Sequence, residues 1–168
     1  MIKTFITLIS IGFVFAFGSA GAQTLIKTTG DWSAYKYGSG KSLSCYIASA
    51  PQKETGNYKR RGDTFVLVAH RPGEDTRDVF ELRAGYAYKK GSDVTVVIDG
   101  QKFSLFTQNS TAWAKDKKTD RALARAMIRG SKMLVTGTSV RGTKTVDTYS
   151  LRGFTTAYKT IGRYCSVK

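Results

Sequence analysis

The sequence predicts a mainly β fold, arranged as a single-domain β-sandwich or barrel-like sheet with one or two short peripheral helices. Most of the chain after residue 22 consists of short segments that alternate apolar and polar residues or are rich in β-branched ones, with Gly, Asn and Asp between them. Only two segments change to a helical period. The 168-residue chain also has the length of one ordinary domain.

A β-hairpin over residues 94–106 is the clearest local prediction. Two apolar runs, residues 94–98 and 101–106, flank the dipeptide Asp99-Gly100. Both central residues of a tight two-residue turn need positive φ, which Asp-Gly accommodates. Further strands are predicted at residues 43–47, 65–69, 79–82, 133–138 and 143–151, and residues 51–63 are predicted to be irregular.

The first helix is predicted from Asp120, as its N-cap, to Arg129, with Gly130 ending it. Its apolar face, expected to pack on the sheet, consists of Leu123, Ala126 and Met127. A second helix is predicted from four residues at helical spacing near the end of the chain: Phe154, Ala157, Tyr158 and Ile161.

The first helix also carries a row of cations four residues apart, opposite its apolar face. We call this row the basic ridge: Lys117, Arg121, Arg125 and Arg129. With a net charge of +15, the chain favours anionic partners, and the ridge is the candidate anion-binding site. The alternative is an ordinary solvated charged face.

Residues 1–22 have the pattern of a cleavable secretory signal peptide. Lys3 precedes an apolar run over residues 5–17, and small residues follow. That run is too short to cross a bilayer, which needs about 20 apolar residues. The small residues Ala20 and Ala22 place the cleavage before Gln23, so residues 23–168 form the predicted domain.

Cys45 and Cys165 are the two cysteines of the chain. An even number of cysteines in an exported protein favours a disulfide. Their separation excludes the close pairs of a zinc knuckle or a redox CxxC motif. The alternative is two free buried thiols.

Enzyme chemistry has few candidates in this sequence. His70 is the only histidine, so a Ser-His-Asp arrangement would have to use it; a structural or surface role is the favoured interpretation. The densest acidic patch, Glu74, Asp75, Asp78 and Glu81, could supply the carboxylates of a hydrolase. One histidine and two paired cysteines are too few for a usual zinc site, and we expect no metal or cofactor.

Several short phrases occur in an order that resembles the invasion-associated locus B family. They include Arg61-Gly62-Asp63, His70-Arg71-Pro72, Gly85-Tyr86, Ile98-Asp99-Gly100, Ala112-Trp113-Ala114, Arg141-Gly142-Thr143 and Gly153-Phe154-Thr155. The resemblance extends over nearly all of the predicted domain. It implies an exported alphaproteobacterial envelope protein, linked in some pathogens to invasion of host cells, with no enzymatic site to carry over. Some relatives have a further cysteine where this chain has Tyr35, so a second disulfide is not expected.

The functional prediction is therefore a non-enzymatic envelope or surface protein that binds an anionic or macromolecular partner. Lipopolysaccharide, anionic glycans and host or envelope proteins are the partner classes considered. Nucleic acid is disfavoured, because the predicted location is the periplasm or the outer surface. The alternative function is a periplasmic hydrolase that uses His70 or the acidic patch. A pocket containing His70 and two of the four acids would favour the hydrolase.

Overall fold

A computed structural model describes residues 23–167, and it confirms the predicted mainly β class. In this range eleven strands form one antiparallel sheet that is not closed. The strands are β1 (Thr24–Thr29), β2 (Trp32–Tyr37), β3 (Ser44–Ser49), β4 (Lys53–Gly56), β5 (Phe65–Arg71), β6 (Thr76–Arg83), β7 (Val94–Ile98), β8 (Gln101–Gln108), β9 (Thr111–Trp113), β10 (Lys132–Thr138) and β11 (Lys144–Ser150). The predicted signal peptide lies outside the described residues.

The order of the strands is β1-β2-β3-β5-β6-β9-β8-β7-β10-β11-β4. Strand β8 links the two halves of the sheet, because its first part pairs with β7 and its last part with β9. The two halves also meet away from β8. Trp32 Nε1 donates to the carbonyl oxygen of Ser150 at 3.0 Å, and the backbone amide of Asp31 donates to the carbonyl oxygen of Arg152 at 2.9 Å. The sheet thus curves around one core without closing into a barrel.

The predicted hairpin is confirmed as β7 and β8. Ile98 pairs with Gln101, and Asp99 and Gly100 both have positive φ, 43° and 92°. The Asp99 carboxylate also accepts hydrogen bonds from the amides of Ser131 at 2.7 Å and Lys132 at 3.2 Å. The turn is thereby fixed to the start of β10.

Helix α1 (Lys117–Arg129) confirms the first predicted helix but begins earlier than predicted. Its apolar face is buried as expected, and Gly130 follows its last residue. The predicted N-cap is wrong: Asp116 caps the helix by accepting from the amide of Thr119 at 2.7 Å. Asp120 instead lies within the first helical turns, buried, and its carboxylate accepts from the amide of Phe80 in β6 at 2.9 Å.

Helix α2 (Phe154–Tyr164) confirms the second predicted helix. Phe154, Ala157 and Ile161 are buried, and the Phe154 ring meets Trp32 edge-on with centroids 4.8 Å apart. Cys165 follows directly and forms the predicted disulfide with Cys45 in β3. The bond therefore attaches the end of α2 to the sheet.

Strand β4 is the clearest element that the sequence did not predict. It lies inside the stretch 51–63, which was predicted to be irregular, and pairs with β11 at the edge of the sheet. All four of its residues are exposed, so it has no alternation of apolar and polar residues to identify it. Strands β1, β2 and β9 were also not predicted.

Candidate functional site

A pocket with His70 and two of the four acidic residues would favour the hydrolase, and the structure brings only Asp78 to His70. Asp78 meets His70: its amide donates to His70 Nδ1 at 3.1 Å. Glu81 lies on the other face of β6 and accepts from Arg83 Nε at 2.8 Å. Glu74 and Asp75 lie in the exposed turn between β5 and β6. One acidic residue, not two, therefore contacts the histidine.

His70 and Asp78 form a buried structural network with α2. The Tyr158 hydroxyl donates to the Asp78 carboxylate, and its ring meets the His70 ring edge-on at 5.2 Å. Burial lowers the pKa of His70, and the nearby Asp78 carboxylate only partly opposes this effect. His70 is therefore neutral near pH 7 and accepts at Nδ1. Among residues 23–167 no group of three or more His, Cys, Asp or Glu side chains is placed to hold a metal ion.

The structure divides the basic ridge into residues with different surroundings. All four side chains are exposed. Lys117 Nζ donates to the carbonyl oxygen of Asp75 at 3.2 Å, whereas Arg121 and Arg125 line a concavity of about 290 Å³. Arg77 from β6 lines the same concavity, and Arg129 does not. Two of the four predicted residues thus contribute to a concave basic site.

A second concavity of about 650 Å³ adjoins the first, since Arg77 and Tyr158 line both. Its cations come from α2 as well as from β6. We call the combined surface the basic face: Arg77, Arg121, Arg125, Lys159 and Arg163. Asp78, ion-paired with Arg77 at 3.4 Å, is the one acidic residue among those that line the two concavities, against five cations.

A third cavity, of about 740 Å³, lies elsewhere, between the β4–β5 connection and the β10–β11 hairpin. Tyr58 and Tyr86 line it, and three further cations surround it: Lys59, Arg60 and Arg141. We call it the tyrosine cleft. Three of the sequence segments that carry the family resemblance contribute to its lining. They are the segments that begin at Arg61, Gly85 and Arg141.

A family model described as invasion associated locus B (IalB) protein matches residues 32–162. That range includes strands β2 to β11, the first concavity and the tyrosine cleft, and it ends just before Arg163, which lines the second concavity. The chain belongs to the IalB family. This family is associated with the cell envelope and is not known as an enzyme family. Comparison with curated proteins and with solved structures gives no match.

Sequence reasoning missed three residues of the basic face in this IalB protein. Arg77 lies on a strand, and Lys159 and Arg163 lie on α2, so no periodicity links them to the ridge on α1. Lys159 and Arg163 are themselves four residues apart, which places them on one side of α2. That spacing was a signal available in the sequence.

Proposed function

We propose that this IalB family protein is exported, has no enzymatic role, and binds an anionic envelope or host-surface partner through its basic face. The observation that supports the proposal is the convergence of cations from β6, α1 and α2 at two adjoining concavities. Lipopolysaccharide and anionic glycans are the partner class that best fits this surface.

Arginine is well suited to such partners. Its planar guanidinium can donate two parallel hydrogen bonds to a phosphate, sulfate or carboxylate group. Arg121 and Arg125, one helical turn apart, present two such groups on the same side of α1. A net charge of +15 would also attract a polyanion from a distance and make binding sensitive to salt.

Export is the second part of the proposal. It is supported by the signal-peptide pattern of residues 1–22, by the disulfide between Cys45 and Cys165 and by the envelope association of the family. Disulfides persist in oxidising compartments such as the periplasm. We place the mature protein in the periplasm or at the outer surface, beginning at Gln23. Within residues 23–167, neither helix is long and apolar enough to cross a membrane.

Replacing Arg121 and Arg125 together with Gln tests the basic face. Both side chains are exposed, so thermal stability should change little, by less than about 1 kcal/mol for each residue. Elution from immobilised lipopolysaccharide should move to lower salt, because two cations that contact the partner are lost.

The matched control is the replacement of Lys89 and Lys90 with Gln. These two exposed lysines line neither concavity of the basic face, and the control removes the same charge. We expect it to elute close to the wild type. Equal shifts for the two double variants would mean that net charge alone determines binding, and the proposal would be wrong.

A further inference from the structure

We propose that the tyrosine cleft is a second binding site, specific for an acidic saccharide such as a uronate-containing oligosaccharide. The proposal concerns different residues from the basic face and does not depend on it. It rests on the construction of the cleft: two tyrosine rings held in place by a buried arginine, surrounded by exposed cations.

The rings of Tyr58 and Tyr86 are positioned by Arg61. The Arg61 guanidinium lies over both rings, 5.7 Å from the centroid of Tyr58 and 4.9 Å from that of Tyr86. Cation–π attraction at such distances stabilises the arrangement. The Tyr86 hydroxyl is also within 2.7 Å of Thr145 Oγ1. A hydrogen bond there limits rotation of the ring.

Arg61 itself is fully engaged by the protein and serves as scaffold. Its Nη1 and Nη2 donate to the two carboxylate oxygens of Asp147 at 2.6 and 2.7 Å, and its Nε donates to the carbonyl oxygen of Ala84 at 2.6 Å. The side chain is only 3% exposed. Because the protein's own groups hold Arg61 in place, little conformational entropy of this side chain would be lost on ligand binding.

The surroundings of the cleft are cationic. Lys59, Arg60 and Arg141 line it and are exposed. The carboxylates of Asp147 and Glu54 are both ion-paired with Arg61, and no acidic residue is among those that line the cleft. Three cations against one surplus carboxylate leave the cleft net positive, and it therefore favours an anion.

An acidic saccharide matches both the rings and the charge. A pyranose ring has an apolar C–H face that can pack on a tyrosine ring, while its hydroxyls can bond to the phenol group. Its carboxylate can accept from an arginine at the edge of the cleft. The volume of about 740 Å³ lies within the range of small-ligand sites. A simple inorganic anion would use the cations but not the rings.

Titration with a hyaluronan tetrasaccharide, which carries carboxylates but no sulfate, tests the proposal. Replacing Tyr58 with Ala removes a ring and no charge, and should weaken binding by at least about fivefold, roughly 1 kcal/mol. The double variant Arg60→Gln with Arg141→Gln should weaken it by at least as much. The matched charge control, Lys36→Gln with Lys102→Gln, removes two exposed cations that line neither the cleft nor the basic face, and it should change the affinity by less than about twofold.

Two further probes separate ring stacking from charge. A neutral N-acetylglucosamine tetramer should bind more weakly than the hyaluronan fragment. Tripolyphosphate binding should be unaffected by Tyr58→Ala. Wild-type affinity of the Tyr58→Ala variant for the tetrasaccharide, or equal losses in the Arg60/Arg141 and Lys36/Lys102 double variants, would overturn the proposal.

Chemical-shift mapping on the wild type covers the case in which Tyr58→Ala does not fold. Addition of the tetrasaccharide should shift amide signals of residues 57–61, 86–87 and 139–145. Shifts confined to α1 and α2 would overturn the cleft proposal while supporting the basic face. An absence of shifts in both regions would overturn the cleft proposal and leave the lipopolysaccharide experiment to decide the basic face.

Discussion

At the scale of residues, the buried polar side chains explain why only one of the four acidic residues meets His70. Asp78 and Glu81 are three positions apart on β6, and an odd separation on a strand places two side chains on opposite faces. This divergence was predictable once residue 78 was taken as part of the strand. The contact between His70 and Tyr158 was not, because it depends on how α2 packs against β5 and β6.

The titration of His70 tests this network. Burial lowers the pKa of His70 from its usual 6.5, so its NMR signals should titrate below pH 6.5. Since the unfolded chain binds a proton first as the pH falls, the His70 contribution to stability should be lost as the pH drops from 6.5 through the folded-state pKa. His70 is the only histidine, so the assignment is direct. A pKa at or above 6.5 would contradict a buried, neutral His70.

At the scale of elements, helical periodicity identified α1 and α2, and the Asp99-Gly100 turn between two apolar runs identified the hairpin of β7 and β8. The N-cap of α1 was misplaced because both Asp116 and Asp120 are good capping residues. A tertiary contact decides between the two residues, because the Asp120 carboxylate accepts a hydrogen bond from the amide of Phe80 on β6.

Burial of Asp120 also raises its pKa to about 6. The carboxylate is thus less stable there than in water, and its hydrogen bond from Phe80 offsets only part of this cost. Asp120 therefore acts as a polar anchor between α1 and β6 rather than as a helix cap.

The disulfide links the end of α2 covalently to β3, and its loss should lower the stability of the domain. Replacing Cys45 and Cys165 together with Ala should lower the free energy of unfolding by about 2–5 kcal/mol, because the bond closes a loop of 120 residues. Urea unfolding of the oxidised wild type and the double variant measures the difference. Wild-type protein unfolded without reductant should show no labelled thiol; two labelled cysteines would contradict the bond.

At the scale of the whole molecule, the sequence predicted the amount of positive charge but not its distribution. The two cationic sites draw on α1, α2 and β6 in one case, and on the β4–β5 connection and the β10–β11 hairpin in the other. These elements are distant in sequence and adjacent only after the sheet curves. A single periodic segment can therefore reveal one part of such a site, as the ridge did, but not its partners.

Export is the claim on which the proposed partners depend, since lipopolysaccharide and surface glycans are met only outside the cytoplasm. Cell fractionation followed by mass spectrometry of the intact protein tests it most directly. We expect the protein in the envelope or secreted fraction, beginning at Gln23 or its cyclised pyroglutamate form. A chain that retained Met1 to Ala22 and remained in the cytoplasmic fraction would contradict the account.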